Sequence, residues 1–242
     1  MKILQISDTH NQHRQLTDLP AADVIVHCGD FTDNGTEEEV LNFLNWFIEL
    51  PYPHKIFITG NHDLRLWEAE GIEDLPNNVY FLQDCECEID GIKFFGLAYN
   101  HPETLIPNDV DVLITHEPPI MILDESAGIH WGNALLRNKI YEVKPHYHLF
   151  GHAHEGYGTF KDEHIICNHT IFRHANFIGC LSADKIKMPV RKYFCFNIPV
   201  YRNMAEEPSC RSPYHEEYIQ TSVSGNSEGL CRSTYSFLSE RR

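Results

Sequence analysis

Five short apolar stretches rich in Ile, Val, Leu and Phe punctuate the first two thirds of the chain, and each ends on a polar residue able to hold a metal. Lys2–Ser7 runs into Asp8-Thr9-His10, Asp23–Cys28 into Gly29-Asp30, and Lys55–Thr59 into Gly60-Asn61-His62-Asp63. Asp111–Thr115 runs into His116-Glu117-Pro118-Pro119, and His146–Phe150 into Gly151-His152-Ala153-His154. Apolar runs about five residues long, bounded by Gly or Pro, predict buried strands. In an open α/β sheet the ligand site lies beyond the carboxyl ends of the strands. The pattern therefore places seven oxygen and nitrogen ligands along one edge of one sheet.

Between these stretches the period changes. Thr36-Glu37-Glu38-Glu39 is a capping box ahead of Val40, Leu41, Phe43, Leu44, Phe47 and Ile48 at helical spacing, stopped by Pro51. That predicts a crossover helix between the second and third strands. Helical pieces are also predicted over Gln12–Asp18, Leu64–Glu70 and Asn133–Val143. Val79–Leu82, Cys85–Ile89 and Ile92–Leu97 are short β runs, the last two joined at Asp90-Gly91, a hairpin signal. Antiparallel strands after parallel units predict a second sheet, with His164–Asn168 and Lys192–Ile198 closing it. From about Tyr201 the composition turns to Ser, Glu, Arg, Tyr and Gly. Such a segment buries too little apolar area to offset its ordering entropy. The expected division is one domain over residues 1–200 and a weakly ordered or peripheral tail over 201–242.

A chain of 242 residues supports one substantial core or two small domains, and ligand runs spread from residue 8 to 154 require one domain to gather them. No apolar run reaches about eighteen residues, and residues 1–7 enter a strand directly, so a secretory leader is not expected. The eight cysteines show no compact spacing and no C-x-x-C, so they read as reduced thiols. Cys85 and Cys87 share one face of a strand and read as packing. A soluble, cytoplasmic, globular protein without a membrane partner is expected. The net charge of −16 opposes a long footprint on nucleic acid. It does not oppose a small phosphoester, because cations bound in a cleft invert the local field.

Seven ligands exceed the needs of one ion and suit two sharing a bridge. Imidazole plus hard oxygen, without thiolate, suits Mn, Fe, Zn, Co or Ni. Two such cations about 3.5–4 Å apart would activate a bridging water and clamp phosphate oxygens for in-line displacement. The expected nucleophile is that hydroxide, with no covalent phospho-enzyme. Among the other histidines, His101 in the Tyr99-Asn100-His101-Pro102 loop is the one expected to line a pocket. Trp67 and Trp131 read as packing.

In order, the motifs are Asp8-x-His10, Gly29-Asp30-x-x-Asp33, Gly60-Asn61-His62-Asp63, His116 and Gly151-His152-x-His154. This resembles the calcineurin-like metallophosphoesterase superfamily, whose pattern is D-x-H, G-D-x-x-D, G-N-H-[DE], H and G-H-x-H. The resemblance implies that Asp8, His10 and His154 hold one ion, that Asn61, His116 and His152 hold the other, and that Asp30 bridges them. It further implies that His62 protonates the leaving oxygen or stabilises charge on it, with Asp63 fixing its tautomer. Asp33 stands in the slot where purple acid phosphatases carry a Tyr iron ligand, which excludes that branch.

The stretches HYHLFGHAHEGYG (146–158) and THEPP (115–119), with Ile122-Leu123-Asp124 and His130-Trp131-Gly132, are similar to the small metallophosphoesterase-domain proteins. Those are related to the class III cyclic nucleotide phosphodiesterases. The likeness implies a four-layer αββα sandwich and a metal-dependent hydrolase of phosphodiesters or phosphomonoesters. A protein phosphatase, a nuclease and a non-catalytic scaffold on the same fold are the alternatives. The scaffold class typically erodes its ligands, and His10 and His62 both stand here.

Overall fold

A computed structural model describes residues 1–163 and 165–169, with the strand backbones Phe194–Asn197 and Cys210–Arg211. The first half of the chain contributes β1 (Lys2–Ile6), β2 (Val24–His27), α1 (Glu37–Glu49), β3 (His54–Phe57), β4 (Val79–Phe81), β5 (Cys85–Ile89), β6 (Ile92–Gly96) and β7 (Val112–Ile114). A small hairpin of β8 (Glu125–Ser126) and β9 (Ile129–His130) precedes α2 (Ala134–Val143) and β10 (Tyr147–Phe150). β11 (Gly158–Lys161), β12 (Ile166–His169), β13 (Phe194–Asn197) and β14 (Cys210–Arg211) follow.

Helix α1 starts where the capping box predicts. Thr36 Oγ1 accepts from the Glu39 amide at 3.3 Å, and the Glu39 carboxylate accepts from the Thr36 amide at 3.2 Å. Such a cap contributes about 1 kcal/mol. Asn133 caps α2 in the same way, its side-chain oxygen accepting from the Leu135 and Leu136 amides. The two other predicted helices shrink to single 3₁₀ turns, His13–Gln15 and Leu64–Leu66. The first is bounded by Asn11 and Asp18 in the left-handed region, at φ 59° and 58°. Beyond the second, the Gln83 amide donates to the Leu66 and Trp67 carbonyls that a longer helix would have used.

The strands form two facing sheets. The first has the order β13-β1-β2-β3-β4, parallel except for β13, and the second has the order β11-β12-β10-β7-β6-β5-β14. Within the second, β6, β7, β10 and β12 run parallel while β5, β11 and β14 pair antiparallel. Ile3, Val24, Val26, Ile56 and Ile58 of the first sheet pack on Phe94, Val112, Ile114, Leu149 and Cys87 of the second. The outer face of the first sheet (Leu4, Ile6, Ile25, Phe57) packs on Val40, Phe43, Leu44 and Phe47 of α1. Leu136 and Ile140 of α2 cover Phe95, Leu113 and Phe150 on the outer face of the second. The result is the expected four-layer αββα sandwich, and burial on both faces explains why its strands are unbroken apolar runs.

Two expectations need correction. The five ligand-bearing strands do not share one sheet: β1, β2 and β3 belong to the first and β7 and β10 to the second. Phe194–Asn197 was expected to close the second sheet, but it pairs with β1 on the edge of the first. Cys210–Arg211, inside the expected tail, pairs with β5. The rest of 201–242 lies outside the described residues, as does His164 at the start of the strand predicted over His164–Asn168.

At the end of the sheets where the expected ligands stand, the layer between them turns polar. Gln5 lies on the inner face of β1, two residues beyond Ile3, and donates from Nε2 to the Phe150 carbonyl at 3.0 Å and the Asn168 carbonyl at 3.2 Å. That amide ties the first sheet to two strand ends of the second. Cys28, Cys85, Cys87 and Cys167 are buried, as expected for packing thiols, and burial pushes the Cys167 thiol up to about 12. Among the described residues no helix is long and apolar enough to cross a membrane.

Candidate metal centre

The loops after β1 and β2 are laced together by backbone bonds. The amides of Asp8, His10 and Asn11 donate to the carbonyls of Gly29, Asp30 and Phe31 at 3.0, 3.0 and 2.8 Å. From the opposite sheet, the His152 amide donates to both Asp8 carboxylate oxygens at 3.1 Å. His116 Nδ1 lies 2.8 Å from the Cys28 carbonyl, which can only accept, so Nδ1 carries a proton and Nε2 turns to the cleft. Contacts this tight leave no room for a Cβ at two of the loop glycines. A Cβ on Gly60 would stand 2.2 Å from Asp30 Oδ1, and one on Gly151 would stand 2.1 Å from Ser7 Oγ. Four of the expected ligands sit in the left-handed region without being glycine: Asp8 (φ 54°), His10 (40°), Asp30 (56°) and His152 (73°). Such backbone costs on the order of 1 kcal/mol or more per residue and concentrates at functional sites.

The seven expected ligands converge. Asp8, His10 and His154 gather on one side, with His10 Nε2 3.4 Å from His154 Nε2 and His154 Nε2 3.5 Å from Asp8 Oδ1. On the other side, Asn61 Oδ1 lies 2.9 Å from both His116 Nε2 and His152 Nδ1. Asp30 stands between the two sets, Oδ2 being 3.2 Å from His116 Nε2 and 3.9 Å from His10 Nε2. Imidazole nitrogens turned on one another and on buried carboxylates form a donor set for cations. All atoms are hard oxygen or imidazole nitrogen, so the residues fit the transition-metal ions expected.

The electrostatics agree. Burial alone would raise both carboxyls. The His154 hydrogen bond and the charges of His116 and His154 hold Asp8 well below the carboxylate range, and His116 holds Asp30 down. Burial lowers His10, and burial with the charge of His116 lowers His152 to about 4, leaving both in the neutral form that an imidazole needs in order to ligate. Against its burial, His116 is raised to about 10 by Asp30 and Asp8, and His154 is raised by its bond to Asp8. These two rings answer the negative charge of the carboxylates.

His62 stands at the rim, its ring 4.7 Å edge-on from that of His10. Its Nδ1 donates to the Asp33 carbonyl at 2.6 Å. The residue fixing the His62 ring is therefore Asp33, through its backbone, and not Asp63. Asp63 is fully buried and accepts four hydrogen bonds, from the amides of Asp30, Gly60 and Thr32 and from the Thr32 hydroxyl, at 2.7–2.9 Å. Burial and the charge of Asp30 push its carboxyl up to about 7 against those donors. Asp63 shapes the ligand loops. Asp63→Asn would turn an NH₂ group on donors that need an acceptor, costing about 3 kcal/mol. Thermal unfolding should show a clear loss of Tm together with weaker metal binding, whereas a normal Tm with a purely kinetic defect would restore the tautomer role.

Some neighbours of the centre carry no motif. The Tyr99 ring lies 5.9 Å from that of His116 and 6.4 Å from that of His152. Its loop is pinned by Asp84, which accepts from the Ala98 amide and pairs with His101. As expected, His101 lines a pocket, together with Tyr99, Asn100, Glu103, His116 and Glu117. Trp131 is half exposed and lies 6.3 Å from His152, so it is not the packing residue expected. Aromatic type alone signals burial; only the fold brings these side chains to the cleft.

Comparison with known proteins accords with this geometry. Residues 1–156 match the family model described as calcineurin-like phosphoesterase. A UPF0046 protein of Caenorhabditis elegans is 37% identical over 67% of the chain and 66% of its own length. Human metallophosphoesterase domain-containing protein 1 is 33% identical over 65% of the chain and 61% of its own length. The chain thus spans under two thirds of the length of these two relatives. In fold it is similar to the crystal structure of a Thermus thermophilus protein, TT1561, with a TM-score of 0.54 at 14% identity over 69% of the chain and 88% of that protein.

Proposed function

We propose that this chain, which belongs to the calcineurin-like phosphoesterase family, hydrolyses small phosphoesters, diesters foremost, at a centre that takes two transition-metal ions. The observation that carries this reading is the pair of donor sets joined by one carboxylate, Asp30, reaching His116 on one side and His10 on the other. Asp8, His10 and His154 would hold one ion and Asn61, His116 and His152 the other. Bound there, such a pair supplies Lewis-acid activation of water and neutralises phosphate charge.

The chain's own groups do the rest. Backbone bonds between the ligand loops fix the positions of the donors before substrate arrives, so little reorganisation accompanies the reaction. His116 holds its tautomer against the Cys28 carbonyl. His62 keeps Nδ1 committed to the Asp33 carbonyl, so when protonated it offers Nε2–H as the acid for a departing oxygen.

The test is turnover by the Mn²⁺-loaded chain on bis-p-nitrophenyl phosphate, p-nitrophenyl phosphate and a cyclic nucleotide, with and without chelator. Metal-dependent turnover, faster on a diester than on the monoester, is expected. A loaded chain that turns over none of them is the scaffold instead.

A further inference from the structure

Trp131 is 51% exposed, although a large aromatic side chain at the surface gains nothing from water. It is also held still. Its backbone amide donates to the Asp124 carbonyl at 3.0 Å and its indole N–H donates to the Ser126 carbonyl at 3.3 Å. The segment that presents it is braced from beneath. Asp124, 2% exposed, accepts from the Gly132 amide at 3.2 Å and pairs with His130 Nδ1 at 2.9 Å. The β8–β9 hairpin turns tightly through Ala127 and Gly128, at φ 53° and 76°, and the Ala127 amide donates to Glu155. A ring ordered before any ligand arrives loses little entropy on binding.

The chemistry of what it can bind follows from what is left free. The indole N–H is already used, so Trp131 offers only its π surface. The same holds for Trp67, whose Nε1–H donates to the Gly60 carbonyl at 2.8 Å and whose ring lies 5.4 Å from Tyr99. Tyr99 and Trp131 are both within 6.4 Å of the His152 ring. These aromatic groups stand against the His116 and His152 side of the centre, while His62 stands against His10. A group touching Trp131 is therefore not the one His62 would protonate.

Building on the phosphodiesterase reading, we propose that Trp131, with Tyr99 beside the same imidazole, is a specificity-determining platform for a planar aromatic or heteroaromatic substituent on the retained ester of the substrate. It selects diesters whose non-departing arm is a ring over those with a small alkyl arm.

Bis-p-nitrophenyl phosphate and methyl p-nitrophenyl phosphate share one leaving group and differ in the retained arm, which makes them the probe pair. In Trp131→Ala the aryl-over-methyl ratio of kcat/KM should fall roughly 3- to 10-fold, the range for an aromatic pair. The fall should reside in KM, and Trp131→Phe should restore most of it. An unchanged ratio overturns the platform. If neither ester turns over, the phosphoesterase reading fails separately, and binding still decides this one. Calorimetry on the metal-loaded chain should find phenylphosphonate bound more tightly than methylphosphonate by a similar factor, a preference lost in Trp131→Ala. Equal affinities in the wild-type chain contradict it.

Discussion

His62→Ala should keep its metal and lose about 10²- to 10⁴-fold in kcat on phosphoesters with alkoxide leaving groups, the usual contribution of a positioned acid. On p-nitrophenyl esters, whose leaving group departs without a proton, the loss should be much smaller. The geometry favours an acid because Nδ1 is committed to the Asp33 carbonyl at 2.6 Å and the ring meets His10 edge-on at the rim. The same histidine also lies near enough to His10 and Asp30 to serve as a ligand. Metal analysis beside the kinetics separates the two roles. Lost metal in His62→Ala would make it a ligand, and equal losses on both classes of ester would remove the acid.

Asp30→Asn should weaken both halves together and lower kcat/KM by about 10³-fold or more, since several kcal/mol of charge stabilisation rest on the shared carboxylate. One oxygen of Asp30 accepts from the His62 amide at 2.8 Å while the other faces His116 and His10. An amide there keeps the size and loses the charge, along with one of two acceptor oxygens. His154→Ala is the contrast, since it touches only the set with Asp8 and His10. Manganese titration followed by electron paramagnetic resonance should show two weakened sites in Asp30→Asn and one in His154→Ala. One weakened site in Asp30→Asn would mean the carboxylate is not shared.

Strand positions and the seven converging side chains were legible because strands buried on both faces leave unbroken apolar runs, and each run stops at the sheet edge where a ligand stands. The partition between sheets was not. An apolar run reports that both faces are covered, and it is silent about which strand lies alongside. The pairing of Phe194–Asn197 with β1 spans most of the chain and has no local signature. Helix lengths failed for a similar reason, since Gln83 takes the carbonyls of Leu66 and Trp67 from far along the sequence.

In the centre, residue type at fixed spacing located the donors. The left-handed backbone at Asp8, His10, Asp30 and His152 went unseen, because no glycine marks it. The work of Asp63 was hidden too. Three of its four donors are the backbone amides of Asp30, Gly60 and Thr32, which have no side-chain identity to read. Trp131 looked like core until the hairpin carried it to the surface beside His152.

The metal count of the full chain bears most directly on the shared-carboxylate centre. Protein saturated with Mn²⁺, freed of excess by gel filtration and measured by elemental analysis, should carry close to two ions per chain. One ion or none would contradict a centre built from two donor sets around Asp30.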